Sequence, residues 1–388
     1  MLAMCQFFHI VDSMIMMPLG DIFMSTFDLT ASQFSYLVSA YAIAAFFSCI
    51  FGIFYLDTFD RKRALAIIFG GFAIGTLCCS FANSYNVLLL LRLATGMFGG
   101  MLGALSLSIV SDLYPFHERG SAMGILMTGF SVASALGVPF ALYLAADGDW
   151  HIPFFILGLA CFIVWIGILI LFPKMQNHLK ELNKDRSAIS ILKSVLGDKN
   201  QVNALIAGFV LVLAHFLIIP FISPNLIKNV GISQMDITYQ FLLGGLATIV
   251  SSPFIGKMVD KYGVMKVFIS AMILSFIPTL LLTQMGTSSL YLTLIFTTSF
   301  FILATGRMIA PNTIITAAAN SSNRGSFMSF KSAFQQLAIA LSAFISGAII
   351  YVNDDDKFVN YQYVGYLAIF FGLLSILLVR RIKVAKGN

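Results

Sequence analysis

At 388 residues, 59% of them hydrophobic and only 10% charged, with a mean hydropathy of +0.91, the chain carries more apolar surface than water can hydrate. A water-soluble domain is excluded, and lipid is the expected solvent. The net charge of +6 gives no support to a nucleic-acid partner, because eighteen of the 23 Lys and Arg fall in alternate loops between apolar runs.

Those runs are roughly 20 residues long, enough to cross a ~30 Å hydrocarbon core. They fall at 2–24, 33–56, 64–82, 87–111, 121–146 and 152–173, and again at 201–225, 236–257, 265–284, 289–316, 326–351 and 361–380. Twelve transmembrane helices are expected. The first run has no Lys or Arg ahead of it and no small-residue cleavage site, so it reads as a helix and not as a signal peptide. Positive loops resist translocation, which places the loops holding Arg61, Lys62, Arg63, Arg119, Lys257, Lys261, Lys266 and Arg324, and both termini, in the cytoplasm. The opposite loops keep only Lys228 and Lys357 against Asp28, Asp147, Asp149, Asp236, Asp354, Asp355 and Asp356. All five cysteines lie within apolar runs, so no disulfide framework is implied.

Residues 174–200 are the longest polar stretch and divide the chain into halves, 1–173 and 201–388. Within this linker Ile189, Leu192 and Leu196 recur at helical spacing, which fits either a short helix lying on the inner membrane surface or a solvated tether. The halves repeat each other. Arg119-Gly120-Ser121-Ala122-Met123 returns as Arg324-Gly325-Ser326-Phe327-Met328, 205 residues on, and Asp57 answers to Asp260 at an offset of 203. Two facing bundles of spanning helices are the arrangement from which transporters are built. Gly96, Gly99, Gly100 and Gly103 in the fourth run supply a small face for close helix packing in lipid.

The segment from Gly256 to Gly263, with Asp260 and Lys261 inside it, closely resembles the Gly-x-x-x-Asp-x-x-Gly loop of the major facilitator superfamily. Asp57 to Arg63 looks like the same loop in the first half, with Asp60 where the second glycine is expected. Arg92-Leu93-Ala94-Thr95-Gly96 resembles the Arg-x-x-x-Gly signature of that superfamily's proton-coupled drug exporters, whereas Gly137-Val138-Pro139 matches the antiporter Gly-Pro pair poorly. The overall style is similar to bacterial drug and sugar efflux permeases. The resemblance implies two six-helix bundles about a pseudo-two-fold axis, with a central cavity open to each side in turn. It further implies that Asp57, Arg61, Gly256, Asp260, Lys261 and Gly263 serve a gate at the inner ends of the second and eighth helices.

An ionisable side chain within hydrocarbon is costly, so each needs a reason to be there. Four stand clearly within spans: Asp12, Arg92, Arg307 and Lys331. Asp12 shares a helical face with His9 and Met16, and a carboxyl contested between burial and a nearby cation suits proton loading. Arg92 keeps its charge and is expected to act on Asp12. The second half offers Arg307, Lys331 and His215 but no acid within a span, so an anionic or zwitterionic substrate is expected, with Asn312, Gln335 and Gln336 as neutral partners. Pro18, Pro139, Pro220, Pro224 and Pro311 each remove a backbone donor within a span and should bend it.

These readings converge on a monomeric secondary transporter of a plasma membrane, by resemblance the bacterial inner membrane. It would export a small organic solute in exchange for protons, with proton-coupled uptake as the rival and a non-transporting receptor behind both. No HExxH, Walker or paired-carboxylate pattern lies in the spans, so neither enzyme activity nor a cofactor is expected.

Overall fold

The computed structural model describes residues 1–55, 59–114, 124–126, 128–129, 132–145, 147–173, 175, 188–319 and 324–383. In the first half lie α1 (Leu2–Ile15), α2 (Gly20–Phe27), α3 (Ala31–Tyr55), α4 (Arg61–Cys79), α5 (Tyr85–Leu113), α6 (Val138–Leu144) and α7 (His151–Leu171). A short helix, α8 (Ala188–Leu196), precedes the second half. That half contains α9 (Lys199–Phe216), α10 (Ile219–Asn225), α11 (Gln234–Tyr262), α12 (Val264–Gln284), α13 (Leu290–Ala317), α14 (Arg324–Ile349) and α15 (Tyr361–Arg380). Among the described residues ten stretches are long and apolar enough to cross a membrane, and α1 with α2, bent by 52°, makes an eleventh. Of the expected span 121–146, residues 124–126, 128–129 and 132 are described as helical, and a π turn, Ala133–Gly137, then runs into α6. The repeated phrase at 119–123 and Asp57 lie outside the described residues.

Polar residues set the helix ends. Asp60 Oδ1 accepts the Arg63 amide (3.0 Å), Asp198 accepts those of Asn200 (2.8 Å) and Gln201 (3.3 Å), and Ser233 accepts that of Asp236 (3.2 Å), each satisfying donors the first turn leaves open. At the start of α7 the His151 amide donates to Asp149 at 2.9 Å and holds that carboxyl below its usual range. Gly263 joins α11 to α12 at φ 87°, ψ 148°, a conformation open essentially to glycine alone. Gly263→Ala should therefore cost about 1–3 kcal/mol, read as a lower midpoint in thermal unfolding.

The prolines act unequally. Pro18 sits in the α1–α2 break and Pro220 just after the α9–α10 break, while π turns precede Pro139 and follow Pro224. A missing N–H removes one rung of the helical ladder, and an added residue re-spaces the rest. Pro311 lies inside α13, which continues through it without a break.

Where the core sits decides the shape. One continuous apolar cluster draws on both halves, from Ile10, Phe23, Phe34, Trp150 and Phe154 to Phe221, Phe241, Phe300 and Tyr361. These residues flank the acidic loops. Towards the basic loops the core of the described residues divides: Cys5 to Met175 form one cluster, and Val195 to Ile382 another, with only Ile50 among them reaching across from the first half. The halves thus close together at the acidic-loop end and part towards the basic one. α3 packs on α14 and α11 on the π turn and α6, which are the principal contacts between halves.

Candidate functional site

Asp12 stands one turn before the end of α1, fully buried, and three helices converge on it. Arg92 Nη1 on α5 donates to its Oδ2 at 2.8 Å, Arg92 Nη2 to its backbone carbonyl at 3.4 Å, and Thr76 Oγ1 on α4 to its Oδ1 at 3.1 Å. The guanidinium is 1% exposed and its Cζ lies 4.6 Å from the centroid of the Tyr41 ring on α3. Each charge is matched by the other, away from bulk solvent. Close approach of α3 and α5 is possible because Gly96 faces Tyr41, where a Cβ would collide with that residue's carbonyl oxygen.

His9 joins this cluster by its ring, 6.0 Å from Phe72 and 6.4 Å from Tyr41, and both its nitrogens lack a hydrogen-bond partner. The Tyr41 hydroxyl and Arg92 Nε are buried and equally unpartnered. Met16, expected beside Asp12 on one helical face, caps α1 with helical dihedrals (φ −58°, ψ −37°) and packs into the joint core at 1% exposure. The helix stops one residue before it.

A second polar cluster occupies the other half. Arg307 on α13 is 3% exposed; its Nη2 lies 2.7 Å from His215 Nδ1 on α9 and its Nη1 donates to Ser275 Oγ on α12 at 3.3 Å. Its Cζ sits 5.0 Å from the Phe300 ring, which stacks on His215. The other expected second-half groups stand apart from it. Asn312 turns its amide back to the Met308 carbonyl (2.8 Å), and half-buried Lys331, Gln335 and Gln336 make no hydrogen bond or ion pair with described residues.

The expected gate residues are dispersed. Gly256, Asp260 and Lys261 lie in the last two turns of α11 and not in a loop; Asp260 and Lys261 are exposed, and Lys261 rests over the Tyr262 ring at 5.1 Å. Arg61 is 4% exposed and its Nε pairs with Asp112 Oδ2 at 2.8 Å, both within the first half.

Sequence reasoning overlooked the contacts that close the acidic-loop end. Lys228, 8% exposed, stands 3.3 Å from Asp21 Oδ1 of α2 and 2.5 Å from Asp356 Oδ1 of the hairpin β1 (Tyr351–Val352) and β2 (Phe358–Val359). Asn229 fastens that hairpin by exchanging two hydrogen bonds with the Phe358 backbone (2.7 and 2.8 Å). Ser32 and Ser39 on α3 donate to the Gly347 (2.7 Å) and Ala340 (2.9 Å) carbonyls on α14. The available signal was Lys228, one of only two lysines set against seven acids in the outer loops. The partly solvated Lys228 to Asp21 bridge between halves contributes about 1 kcal/mol. Lys228→Met should therefore raise the population parted at this end roughly fivefold, seen as a longer distance between spin labels at Thr30 and Asp354.

Against known proteins the chain is matched throughout. The family model for the Major Facilitator Superfamily covers residues 2–211 and, a second time, 204–387. An uncharacterized MFS-type transporter of Bacillus subtilis, YceJ, is 25% identical over 317 residues, 78% of each chain. A probable sugar efflux transporter of Helicobacter pylori is 25% identical over 264 residues, 68% of this chain and 66% of that one. Among solved structures, a D-xylose-proton symporter superposes with a TM-score of 0.75 at 16% identity, over 100% of this chain and 98% of the other. The nucleoside transporter NupG gives 0.71 at 15% identity, over 98% of each chain. With an all-α fold, a repeated order of spanning helices and a family match in each half, the chain belongs to the Major Facilitator Superfamily, as a multi-pass secondary transporter of that type.

Proposed function

We propose that this transporter exports a small anionic or zwitterionic organic solute in exchange for protons, with residues 1–173 and 201–388 as its two moving bundles and 174–200 as the cytoplasmic linker. The observation that carries the reading is the buried Asp12–Arg92 pair, a carboxylate that must either stay matched to its guanidinium or take up a proton when the two separate. Protonation of Asp12 would free Arg92, and the spare hydrogen-bonding capacity of His9, Tyr41 and Arg92 Nε gives a proton polar groups to pass along. The basic loops favour an open end facing the cytoplasm of a bacterial inner membrane, with the Lys228 closure outside. Asp260 and Lys261 stand exposed at the inner end of α11, which fits a gate that engages only in the other state. Export over uptake is favoured by the name of the Helicobacter pylori relative.

Flux decides it. Labelled solutes are loaded into right-side-out and inverted vesicles containing the protein, with and without an imposed pH gradient. Export predicts gradient-driven accumulation in inverted vesicles only. Accumulation in right-side-out vesicles alone would establish uptake, and binding without flux in either would mark a receptor.

A further inference from the structure

We propose that Arg307 and His215 form a carboxylate seat for an apolar monocarboxylate, with His215 as the residue that keeps the seat open. The inference rests on the transporter reading above and names the substrate class for its second half.

The two halves treat a buried guanidinium in opposite ways. At the 203-residue offset that relates Asp57 to Asp260, Asp12 answers to His215, and each stands shortly before a helix break and a proline, Pro18 or Pro220. In each half an arginine on the fourth crossing meets this residue together with a hydroxyl on the third, Thr76 or Ser275, and an aromatic face, Tyr41 or Phe300. Arg307 is not the repeat of Arg92. At the 205-residue offset Arg92 answers to Thr297, so Arg307 reaches its crossing from ten residues further along its helix, ~15 Å of rise.

What differs is the charge. Arg92 faces a carboxylate, whereas Arg307 faces an imidazole. A guanidinium can only donate, so His215 Nδ1 at 2.7 Å must be the lone-pair nitrogen, and the ring is neutral with its hydrogen on Nε2. The described spans of the second half bring no acid to this place, since Asp236 and Asp260 sit near the ends of α11. One buried positive charge is left unmatched. Arg307 Nε also has no partner and is shielded from solvent.

That combination has one natural complement. A carboxylate can bind a guanidinium side-on through Nε and one Nη, satisfying the idle Nε and taking Nη2 from His215. Ser275 would keep Nη1, and Phe300 would hold the guanidinium plane from below. His215 is half-buried, the more open member, so a ligand reaches Arg307 past it. Its neighbours are Phe300, stacked at 6.0 Å, and Phe216 at 5.2 Å, which favour an apolar or aromatic body behind the carboxylate.

The test uses the full chain in lipid nanodiscs, with benzoate as probe and benzamide as its neutral isostere, read by titration calorimetry. Wild type should bind benzoate and not benzamide. His215→Asp supplies the counter-charge internally, as Asp12 does for Arg92, and should weaken benzoate at least tenfold with the melting temperature held or raised. His215→Asn can still accept from Nη2 without adding charge, so it should weaken benzoate less than either His215→Asp or Arg307→Lys does. Arg307→Lys, a point charge unable to bind side-on, should weaken benzoate about tenfold. Equal binding of benzamide, absent benzoate binding by wild type, or undiminished binding by His215→Asp overturns the seat. Should His215→Asp fail to fold, the Arg307→Lys and His215→Asn pair still decides. Benzoate binding as expected in a protein without gradient-driven flux would refute the transporter reading alone, and flux with charge-insensitive binding would refute the seat alone.

Discussion

Asp12→Asn is expected to abolish gradient-driven transport, by roughly 100-fold or more, because an amide neither takes up nor releases a proton in the working range. The substitution also removes the only carboxylate that matches Arg92 in a place where the guanidinium is 1% exposed. Leaving one member of a buried pair uncompensated costs about 3–5 kcal/mol, so a lower melting temperature should accompany the lost coupling. The two effects can be separated. Adding Arg92→Gln removes the stranded charge, so the double variant should recover much of the stability, while proton-driven flux stays absent. A merely structural pair would behave otherwise: stability and flux would return together in the double variant. Gradient-driven uptake into proteoliposomes, beside thermal unfolding of the same preparations, gives both readings. Full gradient-driven flux in Asp12→Asn would remove the coupling role outright.

The sequence carried most of the helices, and it did so for a simple reason. Hydrocarbon demands long apolar runs with satisfied backbones, so the expected 265–284 and 361–380 lie within one residue of α12 and α15 at each end. Ions inside such runs are conspicuous, which is why Asp12, Arg92, Arg307 and His215 could be picked out without a structure. Their pairing was legible only in part. Asp12 and Arg92 are opposite charges on a familiar helix pair, but the Arg307 to His215 contact joins residues 92 apart that no charge rule would couple. Breaks were less legible. The apolar run read as one span over 2–24, whereas α1 ends at Ile15 and α2 sets off at 52° to it. The closure at the acidic end was hidden for another reason: Asp21, Lys228 and Asp356 belong to three distant segments, and Lys228 reads by itself as one stray base in an outer loop.

Gly245→Val should stop transport by blocking the place where the halves bear on each other. Gly245 is buried in α11, eleven residues into that 29-residue helix, and faces the π turn of the first half. A Cβ there would run into the Ala135 Cα and lie 2.9 Å from its nitrogen, so the clash is with backbone that no rotamer change can relieve. The upper range of overpacking costs, about 3 kcal/mol, corresponds to ~100-fold in an equilibrium. Near the middle of the helix, rotation of one half against the other moves atoms least, so the penalty falls on both conformers: it lowers the stability of the packed halves, and with it the flux, without a bias between conformers. Two neighbours discriminate this mechanism from general disruption. Gly244→Ala meets only the Phe301 ring, which can turn aside, and should keep much of the flux. Gly347→Val meets the Ser35 side chain at the closing end, so it should penalise only the conformer closed there and lengthen the Thr30 to Asp354 label distance. If Gly245→Val lengthened that distance as Gly347→Val does, the contact would belong to the closure and not to a pivot between the halves.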